Sequence, residues 1–174
     1  TTLSDSVRLP PFDSLAPGAP RIQRLSILSD PKARLNWLRT DSSVTRHELW
    51  LKARGHAWRI IDTVGLQNTY TFTGLDTRDS QYCARIIGID SCANNASAFS
   101  KPHCAVQLEG RAGNLENILS WQAYEGFSNP SYEVQILSNG GWQIIGSASD
   151  TTYTDSVDLT CGVTERYRIR TISG

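Results

Sequence analysis

No stretch of this 174-residue chain approaches the roughly 18 consecutive apolar residues that a membrane-spanning helix requires. No basic segment followed by an apolar one opens it either, although a mature or excised chain would look the same, so this does not argue for the cytoplasm. No window carries a helical i, i+3, i+4, i+7 stripe of useful length. Histidine is scarce: His47, His56 and His103 are dispersed, no HExxH occurs, and a metal centre is not expected. Gly-x-Ser-x-Gly and phosphate-cradling glycine loops are missing, and Asn139-Gly140-Gly141 reads as hairpin-turn chemistry. The four cysteines form no CxxC pair, which excludes a zinc ribbon or a thioredoxin-like motif. Net charge is zero and the arginines are scattered, so the concentrated basic stripe of a nucleic-acid-binding protein is absent. These gaps leave no catalytic residue and no cofactor to propose.

What the chain has is a repeat. The segment IQRLSILSDPKARLNW ends at Trp37, and VQLEGRAGNLENILSW ends at Trp121. An aromatic-rich run follows each Trp (HELWLKARGHAW; SYEVQILSNGGW), then a Thr/Tyr-rich run (NTYTFTGL; TTYTDSVDL), then a Tyr-led strand. A period long enough to hold several strands marks tandem domains rather than a solenoid. The boundaries read as an N-terminal extension over 1–16, a first domain over 17–103 and a second over 104–174. The Ala16–Pro20 segment (APGAP) forms the entry linker, since proline cannot donate to a sheet ladder. The extension carries one candidate strand, Ser6–Leu9, standing where a preceding module's last strand would be.

Within each copy the apolar residues alternate in runs of four to eight, with turn signals about every ten residues. Leu49 and Leu51, Tyr70 and Phe72, Tyr82, Ala84 and Ile86 alternate in the first copy; Tyr132, Val134 and Ile136 do so in the second. That is the signature of an antiparallel sandwich. The second copy ends after its Tyr167 strand, so it is expected to lack a last strand, leaving an open edge. The copies also differ in charge: residues 17–103 hold 12 Lys/Arg against 7 Asp/Glu, and residues 104–174 hold 4 against 8. Solvated faces of opposite sign explain this, with head-to-tail contact as the sharper reading.

Two features in register in both copies resemble fibronectin type III domains. A Trp closes the second strand, and a Leu stands six to eight residues ahead of a strand-leading Tyr (Leu75 and Tyr82; Leu159 and Tyr167), as in a tyrosine corner. The resemblance runs from about residue 20 to the end and implies an all-β fold of two tandem immunoglobulin-like β-sandwiches. The junction YCARIIGIDSCANNASAFSKPHCAVQLEG, with SWQAYEGFSNPSYEV and TTYTDS, also resembles repeats of large Bacteroidetes surface proteins of the gliding-motility-associated, C-terminally sorted class. Ala93 stands where that group usually has Gly, and Arg168 takes the place of Cys83 in the second copy. This second resemblance implies export to the cell surface and a place in a long adhesin-like array.

The cysteines, Cys83, Cys92, Cys104 and Cys161, read as disulfide staples of a secreted protein. With a hairpin turn centred near Ala93–Asn94, Cys83 and Cys104 are equidistant from it and form the preferred pair; Cys92–Cys104 is the rival. Asn95-Ala96-Ser97 is a glycosylation-type triplet. The pairs Asp76/Asp79 and Asp155/Asp158 offer too few oxygens for calcium, which takes six to eight, and read as turn caps. Trp50 is the candidate contact residue: alternation with Leu49 and Leu51 puts it on the outer face, stacked on Arg85 or presenting a ring to sugar or protein. Its bland reading is a ring lying flat across neighbouring strands.

The function expected is therefore non-catalytic: a spacing and adhesion module of an exported surface protein, touching protein or glycan and other modules of its own chain. Exchange of the N-terminal strand into another molecule's open edge would give a homo-oligomer. The alternatives are a carbohydrate-binding or accessory module of a secreted hydrolase, and a cytokine-receptor-like ectodomain, the latter lowered by the absence of a WSxWS-like motif.

Overall fold

A computed structural model describes residues 6, 15–91, 96–156 and 162–173. These hold thirteen strands and no helix. The first seven are β1 (Arg21–Ser29), β2 (Lys32–Leu38), β3 (Val44–Ala53), β4 (Arg59–Val64), β5 (Thr69–Phe72), β6 (Tyr82–Asp90) and β7 (His103–Cys104). They make two facing sheets of order β1-β2-β5 and β4-β3-β6-β7, every pairing antiparallel. The remaining six repeat the plan: β8 (Gln107–Ala112), β9 (Asn117–Gln122), β10 (Ser131–Ser138), β11 (Gly141–Ala148), β12 (Thr152–Asp155) and β13 (Tyr167–Ile172). Their sheets run β12-β9-β8 and β11-β10-β13. The strand order is the same in both, except that the place of β7 has no counterpart beside β13 among the described residues.

The apolar alternation builds each core. Trp37, Leu35, Leu49, Ile86 and Phe72 bring both sheets of the first sandwich together, with Trp37 fully buried. Burying one such side chain contributes roughly 1.5–3 kcal/mol. Trp121, Leu119, Tyr132 and Val134 do the same work in the second. Where the period of two breaks, the backbone bulges. Ile22 and Leu25 both face the core although three residues apart, because register shifts between Ile22 and Arg24. The same device between Val44 and Arg46 keeps both Val44 and His47 inside. Asn139 and Gly140, both at positive φ, close the β10–β11 hairpin.

The tyrosine corner is present in the first sandwich. Leu75 is buried, and the Asp76 N–H donates to the Tyr82 hydroxyl at 3.1 Å. In the second sandwich the Tyr167 hydroxyl instead donates to Asp155 Oδ2 at 2.7 Å and accepts from Asn117 Nδ2 at 2.8 Å. Burial of that phenol pushes its pKa up to about 12. Leu159, Asp158, Cys92, Cys161 and most of the Ser6–Leu9 strand expectation lie outside the described residues.

Candidate functional site

On β3, His47, Leu49 and Leu51 turn inward, so Glu48, Trp50 and Lys52 turn out. Trp50 lies opposite Arg85 in the β3–β6 register. The Arg85 guanidinium carbon sits 5.2 Å from the Trp50 ring centroid, 4.4 Å from that of Trp58 and 3.5 Å from that of Phe99. Phe99 meets Trp50 edge to face at 5.4 Å, and the Lys52 ammonium lies 4.9 Å over Trp58. Trp50 donates its indole N–H to Glu48 Oε2 at 3.3 Å. A cationic centre walled by three rings results, on the outer face of two central strands. Parity signalled Trp50 and Arg85; Trp58, after the turn, and Phe99, ahead of β7, had no periodic signal.

The Cys83 and Cys104 sulfurs are bonded, joining β6 to β7. Cys83 lies between Tyr82 and Ala84, both of which pack with the core; Cys83 itself takes the other face and is nevertheless buried. Ser97, the last residue of the glycosylation-type triplet, is also buried, its hydroxyl accepting from the Gly88 N–H at 2.9 Å. Asp76 Oδ1 accepts the Asp79 N–H at 3.2 Å, an ordinary turn cap.

The second cluster lies where the sandwiches meet. Only two residues separate β7 from β8: Ala105 is buried in the first core, and Val106 packs against the second. Gln81, itself buried, donates through Nε2 to the Ala105 and Ala123 carbonyls, both at 3.0 Å. Cys104 and Glu125 exchange both backbone hydrogen bonds, at 3.0 and 3.2 Å. Arg54 bonds Gln122, and Gln107 bonds the Arg78 carbonyl. Tyr124 accepts the Leu25 N–H at 3.0 Å, and its hydroxyl is hydrogen-bonded to His103 Nδ1 at 2.8 Å. Burial holds His103 down to about 4 and pushes Tyr124 up to about 12, so both the ring and the phenol are uncharged near neutral pH. Phe127 stacks on Tyr124 at 4.6 Å, and Gly126, at φ +120°, lets the backbone lie against the His103 ring.

The strand order, the buried Trp pair and the Tyr82 corner decide the architecture. The fold is fibronectin type III-like. Among solved structures, a two-domain fibronectin type III segment of chicken tenascin is similar at 15% identity and a TM-score of 0.39, covering 91% of each chain. A myokine structure is similar at 17% identity and a TM-score of 0.44, covering 51% of this chain and 95% of its own. Likenesses so distant carry no argument; topology and register carry it. No protein-family model and no curated protein matches the chain. A fold of this kind suits a structural or binding module, and among the described residues no helix is long and apolar enough to cross a membrane. What the two clusters offer chemically is contact and rigidity.

Proposed function

We propose that this chain is a non-catalytic spacing and contact segment of an exported bacterial surface protein, built as two sandwich modules that meet between Ala105 and Val106 and are held at a set angle. The joint is the observation that carries this reading. Adjacent residues Ala105 and Val106 serve two different cores, so the linker has no slack. Gln81 and Tyr124 then satisfy buried backbone groups across the junction, which a freely swinging pair of modules would leave unpaired. Linkers that permit independent motion are exposed and rich in polar or small residues; this one is not.

The Cys83–Cys104 bond supports an oxidising compartment, where such bonds persist. The resemblance of the junction to Bacteroidetes gliding-motility-associated repeats supports the surface of a bacterium as that compartment. The Trp50–Arg85 face supplies the contact, to a glycan or a protein. Localisation is tested by labelling intact cells of the source organism with an antibody raised against the chain. Surface labelling that disappears after brief external proteolysis is expected; a signal found only after lysis would overturn export.

A further inference from the structure

Arg85 differs from the two outward arginines of β13 in what faces it, and its Nε is buried without an acceptor among the described residues. On β13, Arg168 lies across from Gln135 and donates to its Oε1 at 2.7 Å, although it too stacks on a tryptophan, Trp142. Arg170 lies across from Glu133 and pairs with it at 3.2 Å. The residue across from Arg85 is Trp50, which has no oxygen to offer. The nearest carboxylate along that row of β3, Glu48, is taken by the Trp50 indole rather than by the arginine. Among the described residues, Arg85 Nε is buried with no acceptor, and the side chain makes no ion pair.

The guanidinium carbon lies 3.5 Å from the Phe99 ring centroid and 4.4 Å from that of Trp58, and a guanidinium keeps its donors in its own plane. That is the arrangement suited to a planar, bidentate oxyanion such as a carboxylate. Desolvation by the surrounding rings, which lowers the Arg85 pKa, is the cost of holding the charge here uncompensated. Lys52 adds a second cation beside Trp58.

The position favours a sugar over a peptide. β3 and β6 are the central strands of β4-β3-β6-β7, so their backbone groups are consumed by the ladders. A peptide added in extended form draws its affinity from main-chain bonds at a sheet edge, and β3 and β6, which carry Trp50 and Arg85, are not edges. A pyranose recognised by ring stacking and one fixed polar group requires no such bonds, and the half-buried Trp50 and Trp58 with the exposed Phe99 supply the apolar surface. We propose that this face binds a glycan carrying a ring carboxylate, a hexuronate, with Arg85 holding the carboxylate and Trp50, Trp58 and Phe99 flanking the ring. The proposal rests on the reading of this face as a contact surface and names its ligand class.

The test is a titration of the protein with an oligoglucuronate, followed by nuclear magnetic resonance at the Arg85 Nε–H and the Trp50 and Trp58 indole N–H. A neutral gluco-oligosaccharide of equal length and a poly-aspartate peptide are run beside it. Saturable shifts at these three groups with the uronate, at least tenfold weaker with the neutral sugar, are expected. The Arg85→Lys variant, which keeps the charge and loses the fork, is expected to weaken binding at least tenfold, and a thermal melt establishes that it folds. Equal binding of acidic and neutral sugar, or undiminished binding by folded Arg85→Lys, would overturn the carboxylate assignment. Shifts with poly-aspartate alone would overturn the sugar while leaving the contact face in place. No shift with any of the three would overturn the proposal; a different ligand that still moved Trp50 would preserve the broader reading.

Discussion

The Leu25 N–H donates to the Tyr124 hydroxyl at 3.0 Å, bridging 99 residues of sequence and the two sandwiches. Leu25 sits on β1, an edge strand whose outward backbone groups would otherwise be free to pair with another chain. The same hydroxyl is hydrogen-bonded to His103 Nδ1, so one phenol ties the first module's edge to the segment leading to the second.

Replacing Tyr124 by Phe keeps the ring and removes the acceptor. The buried Leu25 N–H then has no partner, a loss of about 1–3 kcal/mol. Urea denaturation of Tyr124→Phe checks the magnitude, and faster hydrogen exchange at the Leu25 amide than at other β1 amides checks its place. An unchanged midpoint would show that the bond contributes nothing.

Acid weakens the joint. His103 is held down to about 4 from an ordinary 6.5, chiefly by burial and then by the charge of Lys101. The unfolded chain therefore takes up the proton first as pH falls. Stability is full above about pH 6.5 and declines from there toward pH 4, by on the order of 3 kcal/mol for this group. His47, fully buried with Nδ1 facing the Gly65 carbonyl at 3.1 Å, is lowered too and adds in the same direction. Denaturation at pH 7.5 and pH 4.5 measures the slope, and His103→Gln is expected to flatten part of it.

Gly126 is replaceable only with damage. Its φ of +120° disfavours any side chain, and a Cβ there would lie 2.4 Å from His103 Cγ. Gly126→Ala is expected to cost about 2–4 kcal/mol, combining backbone strain and overpacking. The check is the thermal midpoint, with Gly140→Ala as a control, because Gly140 has a similarly disfavoured φ and open space around it.

Reduction of Cys83–Cys104 releases a constraint between residues 21 apart, which chain-entropy arguments value at about 3 kcal/mol. A Cys83→Ser/Cys104→Ser variant is expected to unfold at correspondingly lower urea. Equal midpoints for the variant and the oxidised parent would contradict this.

Much of the scaffold could be read from residue order, and the reasons are local. Leu49 and Leu51 fixed the parity of Trp50, and the two Trp-terminated strands fixed the repeat. Counting outward from a turn near Ala93 paired Cys83 with Cys104, and the strands meet in that register at their base, where Ala84 also faces His103. Nearer the turn the count fails: Ile89 bridges Ala96, two positions off it. The joint was not legible. Gln81 and Tyr124 stand outside the strands, and their roles arise from contacts 42 and 99 residues away that no periodicity records. Phe99 likewise gains its meaning only when the segment before β7 folds over Arg85.

We propose that the two modules move as one body. Residual dipolar couplings of backbone amides in a weakly aligned sample test it most directly, by fitting an alignment tensor to each module separately. Tensors equal in magnitude and orientation are expected for the parent protein. Tensors of clearly different magnitude would mean that the modules reorient independently, and would contradict the account.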